Sequence, residues 1–131
     1  MTVRTTIFEL DDDGAVQPRT DESPAFEPFT EFDGEPLHGV QLHEIAQRGD
    51  IELQLVEIAA GGEFAMHSSP KLAFCHIVRG AGKLGLPDGR ELGYRGPETY
   101  VFLPGTPHDW HEVTEATLLA VAIVPDAGLS R

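Results

Sequence analysis

The chain is 131 residues long, enough for one domain built on a single core. Its 22 Asp and Glu outnumber 9 Lys and Arg, and the formal net charge of −13 argues against nucleic acid and anionic membrane as partners. No apolar run approaches the roughly 20 residues of a membrane-spanning helix. Residues 1–7 lack the basic leader and apolar stretch of a secretory signal, and the single cysteine, Cys75, precludes an internal disulfide, so a cytoplasmic location is expected.

Ten of the carboxylates lie in residues 1–35, against only Arg4 and Arg19. This segment reads as a solvated, solubilising stretch, with a docking tail for a basic partner as the functional alternative. Residues 11–36 hold Asp11-Asp12-Asp13-Gly14, Pro18, Pro24, Pro28, Gly34 and Pro36, which reads as an irregular arm. Residues 1–36 are therefore predicted to be an N-terminal arm, part strand and part irregular. Phe26, Phe29 and Phe32 are expected to pin it against the rest, since a wholly solvated tail seldom carries such rings.

From residue 37 the pattern turns to β-structure. Val40 and Leu42 lead to a turn at Arg48-Gly49-Asp50, and Ile51, Leu53 and Leu55 then alternate with Glu52 and Gln54, the period of a half-buried strand with its aliphatic residues inward. Further short strands are expected at about 64–68, 72–79, 82–86, 99–103, 108–113 and 117–124. Pro87-Asp88-Gly89-Arg90 is a turn: proline presets φ, and Asp-Gly tolerates the positive φ of tight hairpins. Many short strands without helical periodicity predict an all-β sandwich or barrel.

Two motifs stand within residues 61–113. The first is Gly62-Glu63-Phe64-Ala65-Met66-His67, followed by Ile77-Val78-Arg79-Gly80; the second is Gly96, then Phe102-Leu103-Pro104-Gly105-Thr106-Pro107-His108, closed by Asp109-Trp110-His111-Glu112. The pairing resembles the two motifs of the cupin superfamily, over roughly residues 37–124. The resemblance implies a cupin-like double-stranded β-helix, a jelly-roll barrel, over residues 37–131. The family's first motif places Gly61, His67 and Gly80, but its second histidine falls on Ser69 and its glutamate on Ala73. In the second motif Gly96, Pro104, Gly105 and His108 correspond, and Glu112 stands where the family has asparagine.

The resemblance supplies two metal ligands, His67 and His108, where a catalytic transition-metal centre wants three with an open position. His76, Cys75 and Glu112, in that order, are the candidates for the third. Counting back from Gly80, strand parity turns Cys75 inward and His76 outward; a bulge would reverse them. Parity also groups His108, Trp110 and Glu112 on one face, with His111 pointing away. Trp110, Phe74 and Cys75 are assigned to the pocket, and Cys75 reads as packing, not as a nucleophile, because an apolar setting raises a thiol's pKa.

Two functions follow from the resemblance. One is an enzyme acting on a small organic molecule inside the barrel. It would use a single divalent transition metal (Fe, Zn, Mn, Ni or Cu), or acid–base catalysis by His67, His108 and Glu112. The reaction would be of isomerase, cyclase, dehydratase or dioxygenase type. The other is a non-catalytic small-ligand-binding or sensor module that has lost the metal site. The resemblance also implies a homodimer.

Overall fold

β-Branched and aromatic residues at alternate positions, broken by Gly, Pro and Asp-Gly turns, leave strand as the regular structure open to most of this chain. The structure, a computed structural model, describes residues 3–125, and among them there are eleven strands and no helix. They are β1 (Thr5–Leu10), β2 (Val16–Asp21), β3 (Glu27–Pro28), β4 (Glu31–Phe32), β5 (Glu35–Pro36), β6 (His38–Arg48), β7 (Ile51–His67), β8 (Leu72–Gly85), β9 (Glu91–Arg95), β10 (Glu98–Phe102) and β11 (His108–Val124). No helix of the described residues is long and apolar enough to cross a membrane.

The main sheet runs β10-β8-β11-β7-β6-β3, with β9 also on β8, all antiparallel. Three strands are longer than their sequence pattern indicates: the short strands expected on either side of Gly61, Gly80 and Val113 are halves of continuous β7, β8 and β11. Each long strand changes direction at a local break. Gly61 and Gly80 have φ of 80° and 113°, and Glu112 takes φ of 46° where the β11–β8 register slips between His111 and Glu115. Gly80 has no alternative, because a Cβ there would fall within 3 Å of the Thr117 backbone. Thr117 is fully buried, its hydroxyl bonded to Tyr94 Oη at 2.7 Å and within 3.0 Å of the Glu115 carbonyl.

Bending brings the two halves of the sheet face to face. The core between them joins Val56, Ile58 and Phe64 of β7, Cys75, Ile77 and Leu84 of β8, and Trp110, Val113 and Leu119 of β11. Phe102 from β10 and Tyr94 from β9 close its sides.

The N-terminal segment holds more strand than its composition predicts. Beyond the β1–β2 hairpin, β3 adds to the edge of β6, and β4–β5 forms a tight hairpin whose Asp33-Gly34 pair has φ of 52° and 81°. Two positive φ values in a two-residue loop are the mark of a type I′ turn, for which Asp-Gly is suited. Phe29 and Phe32 do pack on the core, each 5.9 Å from the Phe64 ring, whereas Phe26 rests on His43 at 6.0 Å.

The expected facing of β7 is reversed at its start. Ile51 and Leu53 are 43% and 39% exposed, while Glu52 and Gln54 line the interior cavity. Alternation of aliphatic and polar residues identified the strand but not its inner face, because the outer face of this sheet is itself apolar.

Core burial makes a direct prediction. Ile58→Ala, at a side chain with no exposed area, should lower unfolding stability by about 2–5 kcal/mol. Leu10→Ala, at a residue 72% exposed on β1, should change it by about 0.5 kcal/mol or less. Urea denaturation followed by tryptophan fluorescence measures both.

Candidate functional site

The ends of β7 and β11 carry His67 and His108 as directly paired residues, which fixes the two imidazoles side by side with ring centroids 4.4 Å apart. The Phe102 ring stacks on His108 at 3.6 Å, nearly parallel, and Phe64 lies 4.2 Å from His67. Phe32 stands edge-on to His67 at 5.4 Å. These rings, with Phe29, Trp110, Cys75, Val56, Leu119 and Val121, wall a cavity of about 330 Å³. Polar side chains enter mainly around it: Asp33, Glu52, Gln54, Ser68, Ser69 and Lys71.

Local bonds set both histidine tautomers. His67 Nδ1 lies 2.8 Å from the Ala65 carbonyl, and His108 Nδ1 lies 3.1 Å from the Thr106 carbonyl. A carbonyl only accepts, so each Nδ1 carries the proton and each Nε2 holds a lone pair. Among the described residues neither Nε2 has a hydrogen-bond partner, and neither is sealed from solvent. The cavity therefore presents two adjacent acceptors.

Burial keeps both rings neutral. It lowers the pKa of His67 below the ordinary value, partly offset by the bond to Ala65 and by the charges of Asp33 and Asp109. His108 is lowered to about 4, through burial first and then the repulsion of a neighbouring charged His67. Burial pushes the Cys75 thiol up to about 12, so it lines the cavity as an inert thiol.

Of the residues assigned to the site from sequence, His67, His108, Trp110 and Cys75 converge on the cavity. Three do not. His76 points to the opposite face of β8, its Nδ1 2.9 Å from Thr99 Oγ1, as simple parity required. Phe74 shares that outer face and is 43% exposed. Glu112 is turned out by its positive φ and lies beside Lys83 and His111, on the side that parity alone assigns to His111.

The cavity does not assemble the three-ligand centre that the resemblance allows. Among the described residues, no third His, Cys, Asp or Glu atom gathers with His67 and His108 within 4.8 Å. At the family's other two ligand positions, Ser69 accepts a hydrogen bond from the Lys71 amide through its hydroxyl, and Ala73 is buried. The donor set present fits a pair of hydrogen-bond acceptors better than a metal site.

Sequence reading missed the aromatic walls, Phe64 and Phe102, and the polar residues Glu52, Gln54 and Asp33. The signal for Phe64 and Phe102 was available in their placement within the two motifs. That for Glu52 and Gln54 was hidden by the two-sided apolar sheet.

No family model matches the chain, and no curated protein matches it. Solved structures do. A cupin 2 conserved barrel domain protein from Rhodopseudomonas palustris is 13% identical with a TM-score of 0.66, over 89% of this chain and 79% of that one. The cupin domain of Cnp3 from Schizosaccharomyces pombe is 12% identical with a TM-score of 0.63, covering 96% and 90% of the two chains. The polyketide cyclase RemF from Streptomyces resistomycificus is 21% identical with a TM-score of 0.58, over 66% of each chain. With its antiparallel strand order and the two motif histidines paired at the ends of β7 and β11, the chain has the fold of the cupin superfamily.

Proposed function

We propose that the protein binds a small, largely apolar, ring-bearing molecule carrying a hydroxyl or an enolisable carbonyl, and moves a proton on it through His67. The observation that carries this reading is the pair of neutral imidazoles offering two Nε2 lone pairs at the wall of an aromatic cavity. Two acceptors side by side call for a donor, and the ring walls favour a flat apolar body. At about 330 Å³ the cavity is in the size range of small-molecule sites, roughly 300–1,000 Å³.

The two histidines divide the work by their pKa. A base held near 4 is unprotonated throughout the neutral range but takes up a proton reluctantly, so His108 serves as the acceptor that orients the ligand. The charge of Asp33 opposes the downward shift at His67 and not at His108, which makes His67 the base in this reading. The role expected of Glu112 falls away, since its carboxylate is outside the cavity. The similar fold of a polyketide cyclase is in keeping with action on a small molecule, an analogy at the level of fold. A second reading, a binding module without catalysis, is favoured by Ser69 and Ala73 at the family's ligand positions and by the weak basicity of His108.

Ligand binding separates these ideas from a purely structural role. In isothermal titration with 2-naphthol and naphthalene as probes, His67→Ala and His108→Gln should each weaken naphthol by roughly 5- to 30-fold and leave naphthalene nearly unchanged. Equal loss of both probes, or of neither, overturns the acceptor assignment. Exchange of the α-protons of 2-tetralone in D2O, followed by NMR, then distinguishes the two readings. Wild-type acceleration abolished by His67→Ala supports catalysis; binding without acceleration leaves the module.

Neutral histidines also impose a pH dependence. A folded-state pKa below the unfolded value near 6.5 means that the unfolded chain binds more protons. The stability held by neutral His108 is present above about pH 6.5 and is lost as pH falls from there towards about 4, by roughly 3 kcal/mol in all. The drop in urea midpoint from pH 7 to pH 4.5 should be smaller in His108→Gln than in wild type.

The homodimer remains part of the proposal. Phe74 and Val101, direct partners across β8 and β10, are 43% and 51% exposed on the outer sheet face, alongside exposed Val78 and Leu53. A second copy packed there would cover them. Phe74→Glu should shift the molar mass by light scattering from dimer to monomer; a monomeric wild type would remove the idea.

A further inference from the structure

We propose that Glu91, His111 and Glu112 form a zinc-binding site on the outer face of the sheet, apart from the cavity, where β9 and β11 flank β8. Their ligand atoms lie within 4.8 Å of one another. His111 Nε2 is 2.8 Å from Glu91 Oε2 and 3.7 Å from Glu112 Oε2. Tetrahedral zinc with bonds of about 2.0–2.1 Å separates its ligands by roughly 3.3 Å, a value these distances bracket. One imidazole and two carboxylates suit a borderline ion, with the exposed side of the site left for water.

Three features of the fold assemble the group. Glu91 and Asp109 face each other across Gly85, the residue that pairs with both. A Cβ on Gly85 would come within 2.5 Å of Asp109 Oδ1, so the glycine keeps open the space that Asp109 fills. His111 Nδ1–H donates to Asp109, which directs Nε2 towards the two glutamates, the carboxylate–histidine support common behind metal ligands. Nε2–H donates to Glu91, and zinc would release that proton to solvent. His111 and Glu112 are consecutive in β11 and would ordinarily face opposite ways. The positive φ of Glu112 at the register slip puts both on the outer side. Lys83, whose Nζ is 3.4 Å from Glu91 and 3.3 Å from Glu112, holds the position of a competing cation. Zinc bound there would add to the Tyr94–Thr117 and Arg95–Glu115 bonds that link β9 to β11, two strands that share no backbone pairing and each pair with β8.

The test is isothermal titration of ZnCl2 into untagged, chelator-stripped protein carrying His67→Ala and His108→Gln, which removes the cavity histidines and separates this site from the proposed function. The expected result is about one equivalent per chain. Adding His111→Ala should weaken it roughly tenfold or more, and Gly85→Ala, by displacing Asp109, should weaken it by about tenfold. Lys83→Met should tighten it roughly threefold as the competing ammonium is removed. Absence of binding, or affinity unchanged by His111→Ala, overturns the site. Should the cavity variants fail to fold, Mn2+ broadening of amide resonances in the unaltered protein gives the same decision. Broadening centred on residues 91 and 111–112 supports the site; broadening centred on 64–67 and 102–108, or spread over the acidic surface, overturns it.

Discussion

The structure depends on β11 being paired with β7 on one side and β8 on the other at both of its ends, with the pairing broken in between, from Trp110 to Thr117 on the β7 edge and around Glu115 on the β8 edge. A central strand of 17 residues cannot stay straight and still enclose a core, so the sheet must bend, and the bends must fall where the backbone tolerates them. Gly80 abutting the Thr117 backbone, the buried Thr117–Tyr94 bond and the register slip at Glu112 are the local means by which β8, β9 and β11 turn together. The aromatic cavity follows from that turn, because it brings Phe102, carried by the first half of β8 through β10, onto the His108 ring at the start of β11.

The same bend creates two different environments on one strand. His108 and Trp110 face inward and are buried, so the imidazole loses its hydration and becomes a neutral acceptor. His111, one residue past Trp110, faces outward, where hydrogen bonds to Asp109 and Glu91 outweigh partial burial and hold its pKa above the ordinary value. Two histidines three positions apart are thereby driven in opposite directions by burial and charge. Neither environment is visible in residue type, since both histidines are followed by an acidic or aromatic neighbour.

The cavity shows what the altered motif does with its departures. Ser69 and Ala73 stand where the cupin motif has two ligand groups, and both line the space walled by Phe64, Phe102 and Trp110. The N-terminal segment contributes two more walls, Phe29 and Phe32, and one charge, Asp33, at the tip of a hairpin. Its acidic composition, read alone, indicates a solvated arm; its phenylalanines are what seat it at the mouth of the cavity.

By itself the sequence determined the strand-rich architecture, the turns at Arg48–Asp50 and Pro87–Arg90, and the pairing of His67 with His108, because each rests on short-range steric preferences or on motif spacing. Strand parity also turned Cys75 inside and His76 outside, as the structure has them, whereas the choice of His76 as third ligand needed a bulge that β8 does not have there. Tertiary structure alone decided the facing of Ile51 and Leu53, the exposure of Phe74 and the outward turn of Glu112. The reason is physical: period-2 alternation tells which residues share a face, not which face is inside, when both sides of a sheet are apolar. The positive φ of Glu112 and the register shifts that follow it in β11 then change which residues face inward, so parity counted from His108 does not carry past Glu112.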